Sequence, residues 1–204
     1  MEEGSLNTGS AQQLASKEAR VTAIQLGLLI DPPMLDIEQL GWLYDLALFA
    51  PDGPGVEVGV FRGSSLATWG RAKERDLFAV DDFALHGAVM DSYERSKDIL
   101  RANMLRCGLT VHVLSMPSVE AAACFDDGEL AFAFIDADHG MGGIGRDVTV
   151  WPQKIMNGGV IVFHDYGTIQ PDRYVTQAVD QWHAEAGWEL LGLVGSAIAF
   201  RRTA

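Results

Sequence analysis

Cysteine is scarce in this sequence, and no apolar run approaches the roughly 18–20 residues that a membrane-spanning helix needs. The 204 residues include 2 cysteines, Cys107 and Cys124, which lack the C-x-x-C spacing of a metal or redox motif. Two cysteines cannot build a disulfide framework, so we expect both to be reduced thiols in the core. The first residues also lack the basic and then apolar order of a signal peptide. These absences predict a cytoplasmic protein without a membrane partner.

Positive charge is also in short supply. The chain has 15 Lys and Arg residues against 28 Asp and Glu residues, which gives a net charge of -13. A protein of this charge repels phosphate groups, so a nucleic-acid partner is not expected. Hydrophobic residues make up 48% of the chain and charged residues 21%, a composition typical of a folded protein. The length fits one domain, and the charge favours small neutral or cationic ligands.

Strand-like apolar stretches alternate with helical segments along most of the chain. A helical stripe of Leu40, Leu43 and Leu46 starts after Asp36 and ends at the break of residues 51–54. Such alternation predicts a parallel sheet covered by helices on both faces. The strand-like stretches are Val56–Phe61, Leu77–Val80, Val111–Leu114, Leu130–Ile135 and Val160–Phe163.

The end of the chain follows a different pattern. Trp188–Val194 and Ser196–Arg201 are strand-like and are separated only by Gly195, so they must pair as an antiparallel hairpin. The predicted fold class is therefore α/β: a Rossmann-like, doubly wound, mostly parallel seven-stranded sheet that ends in this hairpin. We expect residues 1–35 to form a mobile or helical amino-terminal arm and residues 36–204 to form a single domain.

Glycines and hydroxyl residues follow the first predicted strand. Gly59 and Gly63 would let the backbone approach a ligand, and Ser64 and Ser65 are placed to cap the next helix. The G-x-G-x-x-G fingerprint of nicotinamide-binding proteins is absent, and an acid, Glu57, lies within the strand. This pattern favours a ligand without a pyrophosphate. The alternative is a tight turn in which glycine serves packing alone.

Polar residues also follow the second and third predicted strands. Asp81 ends the second strand, where a carboxylate can accept hydrogen bonds from a ribose diol. Its neighbour Asp82 is equally expected to cap the next turn. After the third strand, Ser115 could meet the edge of an adenine and Met116 could cover its face, although Ser115 could equally cap a helix.

Ionisable residues are concentrated after the fourth and fifth strands. Asp136, Asp138 and His139 follow the fourth strand, and His164 and Asp165 follow the fifth. The two strands should be neighbours, so these side chains should face each other across one site. Carboxylates with one or two imidazoles suit Mg²⁺, Mn²⁺ or Fe²⁺ better than a structural zinc. Each residue alone is more often a solvated surface charge, but the set predicts a functional site.

In this order and spacing, the segments resemble the class I S-adenosylmethionine-dependent methyltransferases. They are most similar to the small O-methyltransferase-like branch, which includes macrocin O-methyltransferase and cephalosporin-biosynthesis proteins. The resemblance extends from Gly55 to the end of the chain. Its segments are Glu57–Ser65, Val80–Asp81, Phe134–His139 and Gly158–Tyr166.

The resemblance implies a role for most of these residues. Glu57, Gly59 and Gly63 would hold the methionine part of S-adenosylmethionine, Asp81 its ribose, and Ser115 its adenine. The full expected set for this cofactor is Glu57, Gly59, Gly63, Ser64, Ser65, Asp81, Ser115 and Asp136.

The resemblance also implies a divalent cation, Mg²⁺ or Mn²⁺. In metal-dependent relatives an acid after the fourth strand and an acidic or amide pair after the fifth hold the ion, and Asp136 and Asp165 match those positions. His164 stands where an acid is usual, so we expect Asp136, Asp165 and His164 as ligands but also keep open a metal-free enzyme with a histidine base. The expected catalytic residues are His139, Asp136 and His164, and we expect His139 rather than His164 to be the base because it lies on a glycine-containing loop that could reach the acceptor.

The implied reaction transfers a methyl group to a hydroxyl of a small-molecule acceptor. Sugars, phenols and polyketides all remain candidates, since the acceptor should meet residues 1–50 and Phe83–Asp91, where motifs are uninformative. Two alternatives stay open: a non-catalytic nucleoside- or S-adenosylmethionine-binding protein, and a nicotinamide-dependent oxidoreductase. A homo-oligomeric state is left open.

Overall fold

A seven-stranded sheet lies at the centre of this computed structural model, which describes residues 15–30, 35–84, 95–168 and 173–203. Its strands are β1 (Gly55–Val58), β2 (Leu77–Val80), β3 (Val111–Leu114), β4 (Leu130–Ile135), β5 (Ile155–Phe163), β6 (Glu189–Val194) and β7 (Ala197–Arg201). The strand order is β3-β2-β1-β4-β5-β7-β6. Strands β1 to β5 pair in parallel, and β7 runs antiparallel to both β5 and β6. The predicted parallel sheet with a terminal hairpin is therefore confirmed.

The strand order reverses at β1. From β1 the chain moves outward to β2 and then β3, and it returns to the other side of β1 to form β4 and then β5. Ligands of such sheets bind outside the carboxyl ends of the strands at this reversal. The segments after β1, β2, β4 and β5 are therefore the ones that build the site.

Seven helices lie within the described residues. They are α1 (Lys17–Gly27), α2 (Ile37–Phe49), α3 (Ser64–Trp69), α4 (Ser96–Arg106), α5 (Ser118–Ala122), α6 (Met141–Lys154) and α7 (Arg173–Ala186). Helix α2 begins with a capping box between Asp36 and Gln39 and ends just before Pro51, as its stripe predicts. Among these described helices, none is long and apolar enough to cross a membrane.

The described part of the amino-terminal arm is a docked helix. Helix α1 packs along α2 through Ala19 and Ala23, which are buried, and the Ser16 hydroxyl donates to Asp45 Oδ1 at 2.7 Å. The remainder of the predicted arm, residues 1–14 and 31–34, lies outside the described residues.

Apolar side chains cover both faces of the sheet. In β4, Phe132 and Phe134 pack on the face toward α2 and α3, while Ala133 and Ile135 pack on the opposite face with Trp151. Burying one such aliphatic or phenyl side chain contributes about 1.5–3 kcal/mol. The two layers hold the strand ends of the site in a rigid frame.

The cysteines differ in their surroundings. Cys107 caps α4 and is buried, so it is the core thiol that the sequence predicts. Cys124 is exposed, and its prediction as a core thiol is wrong. The reason is that α5 is short and buries Ala121 and Ala122, which leaves Ala123 and Cys124 at the surface before Phe125 is buried again.

Candidate functional site

A cavity of about 720 Å³ opens at the carboxyl ends of β1, β2 and β4. It lies at the strand-order reversal, where the sequence places its polar strand ends. The described residues of its wall that matter here are Gly59, Asp81, Met116, Ser118, Asp136 and Asp138. Residues 85–91 of the loop that we expect to meet an acceptor lie outside the described residues.

Gly59 fixes how closely β1 approaches the end of β4. Its φ is +84°, and a β-carbon there would lie 1.9 Å from the carbonyl oxygen of Asp136. No other residue fits this position without displacing the backbone. The glycine therefore brings the turn after β1 against Asp136 on the cavity wall.

Asp81 holds the two turns beside it while it faces the cavity. The backbone N–H of Phe61 donates to Asp81 Oδ2 at 2.9 Å, and that of Phe83 donates to Oδ1 at 2.8 Å. Burial raises the pKa of Asp81 and outweighs the lowering by these two hydrogen bonds. Its neighbour Asp82 accepts a hydrogen bond from the Ala84 N–H, which is the turn-capping role left open above.

Glu57 lies behind the cavity wall. Its side chain is fully buried, and its two oxygens accept hydrogen bonds from Ser65 Oγ and Trp69 Nε1, both at 2.6 Å. Burial raises the pKa of Glu57 to about 8. The contacts of Glu57 and Ser65 therefore join β1 to α3, and neither residue is in the cavity lining.

Gly63 and Ser64 begin α3 and also lie outside the lining. Gly63 has a φ of +81°, and a β-carbon there would lie 2.5 Å from the Leu100 side chain of α4. At this glycine the structure matches the alternative in which the turn serves packing.

The segment after β3 contributes Met116, which the sequence singles out, and Ser118, which it does not. Ser115 is outside the cavity lining, whereas Met116 and Ser118 are part of it. The Ser118 hydroxyl donates to Asp147 Oδ1 at 2.5 Å, and burial raises the pKa of Asp147 to about 6. The sequence analysis missed this acid, although a signal exists: Asp147 lies next to Val148 on the buried face of α6.

Four ionisable residues after β4 and β5 form one network, which we call the Asp/His cluster: Asp136, His139, His164 and Asp165. His139 Nε2 lies 2.8 Å from Asp165 Oδ2 and 3.5 Å from Asp136 Oδ1. His164 Nδ1 lies 3.1 Å from Asp136 Oδ1 and 3.3 Å from Asp165 Oδ1. The structure thus brings together the residues that the sequence places at two adjacent strand ends.

The charges of the Asp/His cluster stabilise one another. Hydrogen bonds to Asp136 and Asp165 raise the pKa of His139 to about 10. Burial opposes the same change at His164, but both carboxylates outweigh it and raise the pKa to about 10. Burial alone would raise the pKa of Asp136, yet the two imidazoles hold it below its ordinary value, and they lower the pKa of Asp165 as well. Both acids are therefore ionised at neutral pH.

His164 is held from behind by two residues that the sequence analysis did not single out. Its Nε2 lies 3.1 Å from Ser196 Oγ, and Gln39 Nε2 donates to the same hydroxyl at 3.1 Å. Gln39 carries a visible signal only as the capping-box residue of α2, and Ser196 carries none, because their meeting depends on tertiary structure.

Asp138 stands apart from the Asp/His cluster, although the sequence groups it there. Its carboxylate accepts the Gly140 N–H at 2.8 Å, is exposed, and lies on the cavity wall. A β-carbon on Gly143 would lie 2.2 Å from the carboxyl carbon of Asp138, so the glycine makes room for it. Asp138 is thus a carboxylate free of the imidazoles and directed to the cavity.

The Asp/His cluster has the geometry of a cation site. Asp136, His139 and Asp165 each offer one ligand atom, and these atoms lie within 4.8 Å of one another. Ligands on opposite sides of a small divalent ion lie about 4.2 Å apart, so the set needs little adjustment. The expected third ligand, His164, is not in this group, and its role as a ligand stays a prediction. His139 is in the group.

Comparisons with known proteins give the family and the fold of this chain. The family model described as "Methyltransferase domain" matches residues 56–166. A search of the curated proteins gives no match.

Several solved structures are similar in fold. The O-methyltransferase NovP is 21% identical over 84% of this chain and 82% of its own, with a TM-score of 0.62. The O-methyltransferase TomG from Streptomyces achromogenes, involved in tomaymycin synthesis and solved with SAM, is 17% identical over 93% and 92%, with a TM-score of 0.60. An O-methyltransferase from Bacillus cereus, solved with SAH, is 17% identical over 92% of each chain, with a TM-score of 0.60. At these identities the likeness concerns the fold.

Proposed function

The chain belongs to the methyltransferase domain family, whose model covers more than half of its length, and we propose on that premise that it transfers a methyl group from S-adenosylmethionine to a hydroxyl of a small molecule. The observation that carries the proposal is the presence of Asp81 and Asp136 on one cavity at the strand-order reversal. The O-methyltransferases of similar fold, two of them solved with SAM or SAH, support the same cofactor and acceptor atom.

Asp81 is proposed to bind the ribose diol. Each of its oxygens accepts one backbone N–H and keeps a second lone pair that can accept a ribose hydroxyl. Its burial removes competing water, which strengthens a charge-assisted hydrogen bond. Met116 supplies an apolar surface for the adenine on the same wall.

The methyl group of a sulfonium is already activated, so positioning is the main task of the protein. Because Gly59 closely approaches Asp136, S-adenosylmethionine bound in this cavity would lie beside the Asp/His cluster. An acceptor hydroxyl held at this cluster would therefore lie next to the methyl donor.

We propose that Asp136, Asp165 and His139 hold a divalent cation. Such an ion, when bound, would lower the pKa of an acceptor hydroxyl. Both carboxylates are ionised at neutral pH, but the raised pKa of His139 keeps its proton in place, so binding of the ion would have to displace that proton. Two carboxylates and one imidazole suit Mn²⁺ or Fe²⁺ at least as well as Mg²⁺.

Two residues are candidates for the base that accepts the proton of the acceptor hydroxyl. His139, the base expected from sequence, has a pKa of about 10 and would keep its own proton at neutral pH while it contacts both acids. Its role as base stays a prediction and requires that this proton first be lost. Asp138 faces the cavity without an imidazole partner in the Asp/His cluster, and we propose it as the second candidate.

The experiment that tests the cofactor is calorimetric titration of the wild-type protein with S-adenosylhomocysteine (SAH), the demethylated product of S-adenosylmethionine. We expect Asp81→Asn to weaken SAH by about tenfold or more, because a charge-assisted contact contributes roughly 1.5–3 kcal/mol. Asp127→Asn is the matched control, because it removes one surface carboxylate that pairs only with Lys154 in the described contacts. Circular dichroism checks that Asp81→Asn is folded.

Two results would change the proposal. Wild-type protein that fails to bind SAH would overturn it. Tight SAH binding with no methyl transfer to sugar, phenol or polyketide hydroxyls would favour the non-catalytic binding protein instead.

A further inference from the structure

We propose that Gln39 and Ser196 are positioning residues for the cation site and that they act through the ring of His164. The proposal rests on the function proposed above. It adds two residues that are 157 positions apart in the chain and that contact neither cofactor nor cation ligand directly.

A continuous set of hydrogen bonds joins these residues to the carboxylates. Gln39 Nε2 is only a donor, so Ser196 Oγ accepts from it at 3.1 Å. The hydroxyl of Ser196 then meets His164 Nε2, also at 3.1 Å. On the other side of the ring, Nδ1 meets Asp136 Oδ1 at 3.1 Å and Asp165 Oδ1 at 3.3 Å.

These bonds persist in both protonation states of His164, although the bond between His164 and Ser196 reverses its direction. A neutral ring with its hydrogen on Nδ1 donates to the carboxylates and accepts from Ser196. A doubly protonated ring still donates from Nδ1 to the carboxylates, and Ser196 Oγ becomes an acceptor. In both states Ser196 opposes a 180° turn of the ring, which would exchange Nδ1 for a carbon atom.

The far end of this chain of bonds is itself held in place. Gln39 is buried, and its Oε1 accepts the Asp36 N–H at 3.4 Å as part of the α2 capping box. A β-carbon on Gly195, whose φ is +58°, would lie 2.7 Å from the Gln39 side chain, so the turn closes directly over the amide. Phe134 meets the His164 ring edge-on with centroids 6.0 Å apart.

These contacts matter for the cation because one imidazole touches both carboxylate ligands. Rotation of the His164 ring would remove the Nδ1 contact that Asp136 and Asp165 share and would leave only His139 between them. Loss of a partner that orients a metal ligand typically weakens metal affinity 10–100-fold. Helix α2 and the β6–β7 turn thus set the geometry of a site formed after β4 and β5.

The test uses the full chain and two titrations, with Mn²⁺ followed by electron paramagnetic resonance and with SAH followed by calorimetry. The variants are Ser196→Ala, which removes the hydroxyl, and Gln39→Met, which removes the donor at similar size. Thr149→Ala is the matched control, because it removes one hydroxyl hydrogen bond at an exposed site on α6. Thermal denaturation of each metal-free variant reports stability separately.

We expect both variants to bind Mn²⁺ about tenfold more weakly than the wild type, with SAH affinity as in Thr149→Ala. Wild-type Mn²⁺ affinity in both variants would overturn the positioning role and leave the proposed function standing. An equal loss of Mn²⁺ and SAH affinity would also overturn it, since that result marks a general structural defect. A wild-type protein that binds SAH but no Mn²⁺ would overturn it together with the cation part of the proposed function.

Discussion

The buried acid Glu57 makes the stability of the fold depend on pH in a way that one substitution can isolate. Burial raises its pKa from 4.5 to about 8 in the folded protein. The folded state therefore holds a proton that the unfolded state has lost, and stability falls as pH rises from about 4.5 to about 8. With 1.36 kcal/mol for each pKa unit, the contribution of Glu57 should fall by about 2 kcal/mol between pH 6 and pH 8.

Glu57→Gln should remove this dependence while it keeps the local contacts. The amide oxygen can accept from Trp69 Nε1, and the amide nitrogen can donate to Ser65 Oγ, which both accepts and donates. We expect the variant to gain about 2 kcal/mol relative to the wild type when pH rises from 6 to 8, in keeping with the same pKa arithmetic. The histidines with raised pKa values also lose stabilisation above pH 6.5, but they do so in both proteins and cancel in the difference.

The assay is urea denaturation of both proteins at pH 6, 7 and 8, with SAH titration at pH 7. A difference in unfolding free energy that stays constant across this range would refute the reasoning, because it would mean that Glu57 titrates near its ordinary value. SAH affinity should be unchanged in Glu57→Gln. A clear loss of SAH affinity would instead support the expectation that Glu57 contacts the cofactor.

Two other predictions concern the Asp/His cluster and its neighbour. Asp136→Asn and Asp165→Asn should each weaken Mn²⁺ binding at least tenfold, since each removes one of the two charged oxygen ligands. Asp165→Asn should leave SAH affinity intact. Full methyl transfer in excess chelator, with no metal found by elemental analysis, would contradict the proposed cation. For the base, Asp138→Asn and His139→Ala should be compared by single-turnover kinetics across pH once an acceptor is found. The variant that loses about 10²–10⁴ in rate identifies the base, and wild-type rates in both would exclude a base role for either.

The fold was largely predictable because even the short strands show as apolar stretches in the sequence. The structure has β2, β3 and β4 with the bounds predicted from sequence. Helix α3 is short and ends at Trp69, since Gly70 follows it. Strand β5 begins at Ile155 instead of Val160, because residues 157–159, an asparagine and two glycines, interrupt its apolar pattern and the pairing with β4 is irregular there.

The site was predictable in its location but not in its atoms. Topology alone places the ends of β4 and β5 together, so Asp136 and Asp165 could be paired from the sequence. The sequence could not show which imidazole would join these carboxylates as a ligand, because His139 and His164 differ only in the loop conformation and in what packs behind each ring. The same limit applies to Glu57, whose carboxyl turns out to contact α3 and not the cavity.

Backbone strain explains why sequence patterns do not predict the conformation of the residues that follow the strands. Phe61, Phe83 and Asp165 follow β1, β2 and β5 with φ values of 48°, 50° and 60°, which glycine would adopt at lower cost. Phe61 and Phe83 are kept there by their N–H bonds to Asp81. At Asp165 no glycine could serve, because its carboxylate contacts both imidazoles. Strain of this kind persists only where surrounding contacts impose it and is concentrated at functional sites. Two of these residues are bonded to Asp81 and the third belongs to the Asp/His cluster, so the strain favours a site held in a fixed geometry, which a reaction that depends on positioning requires.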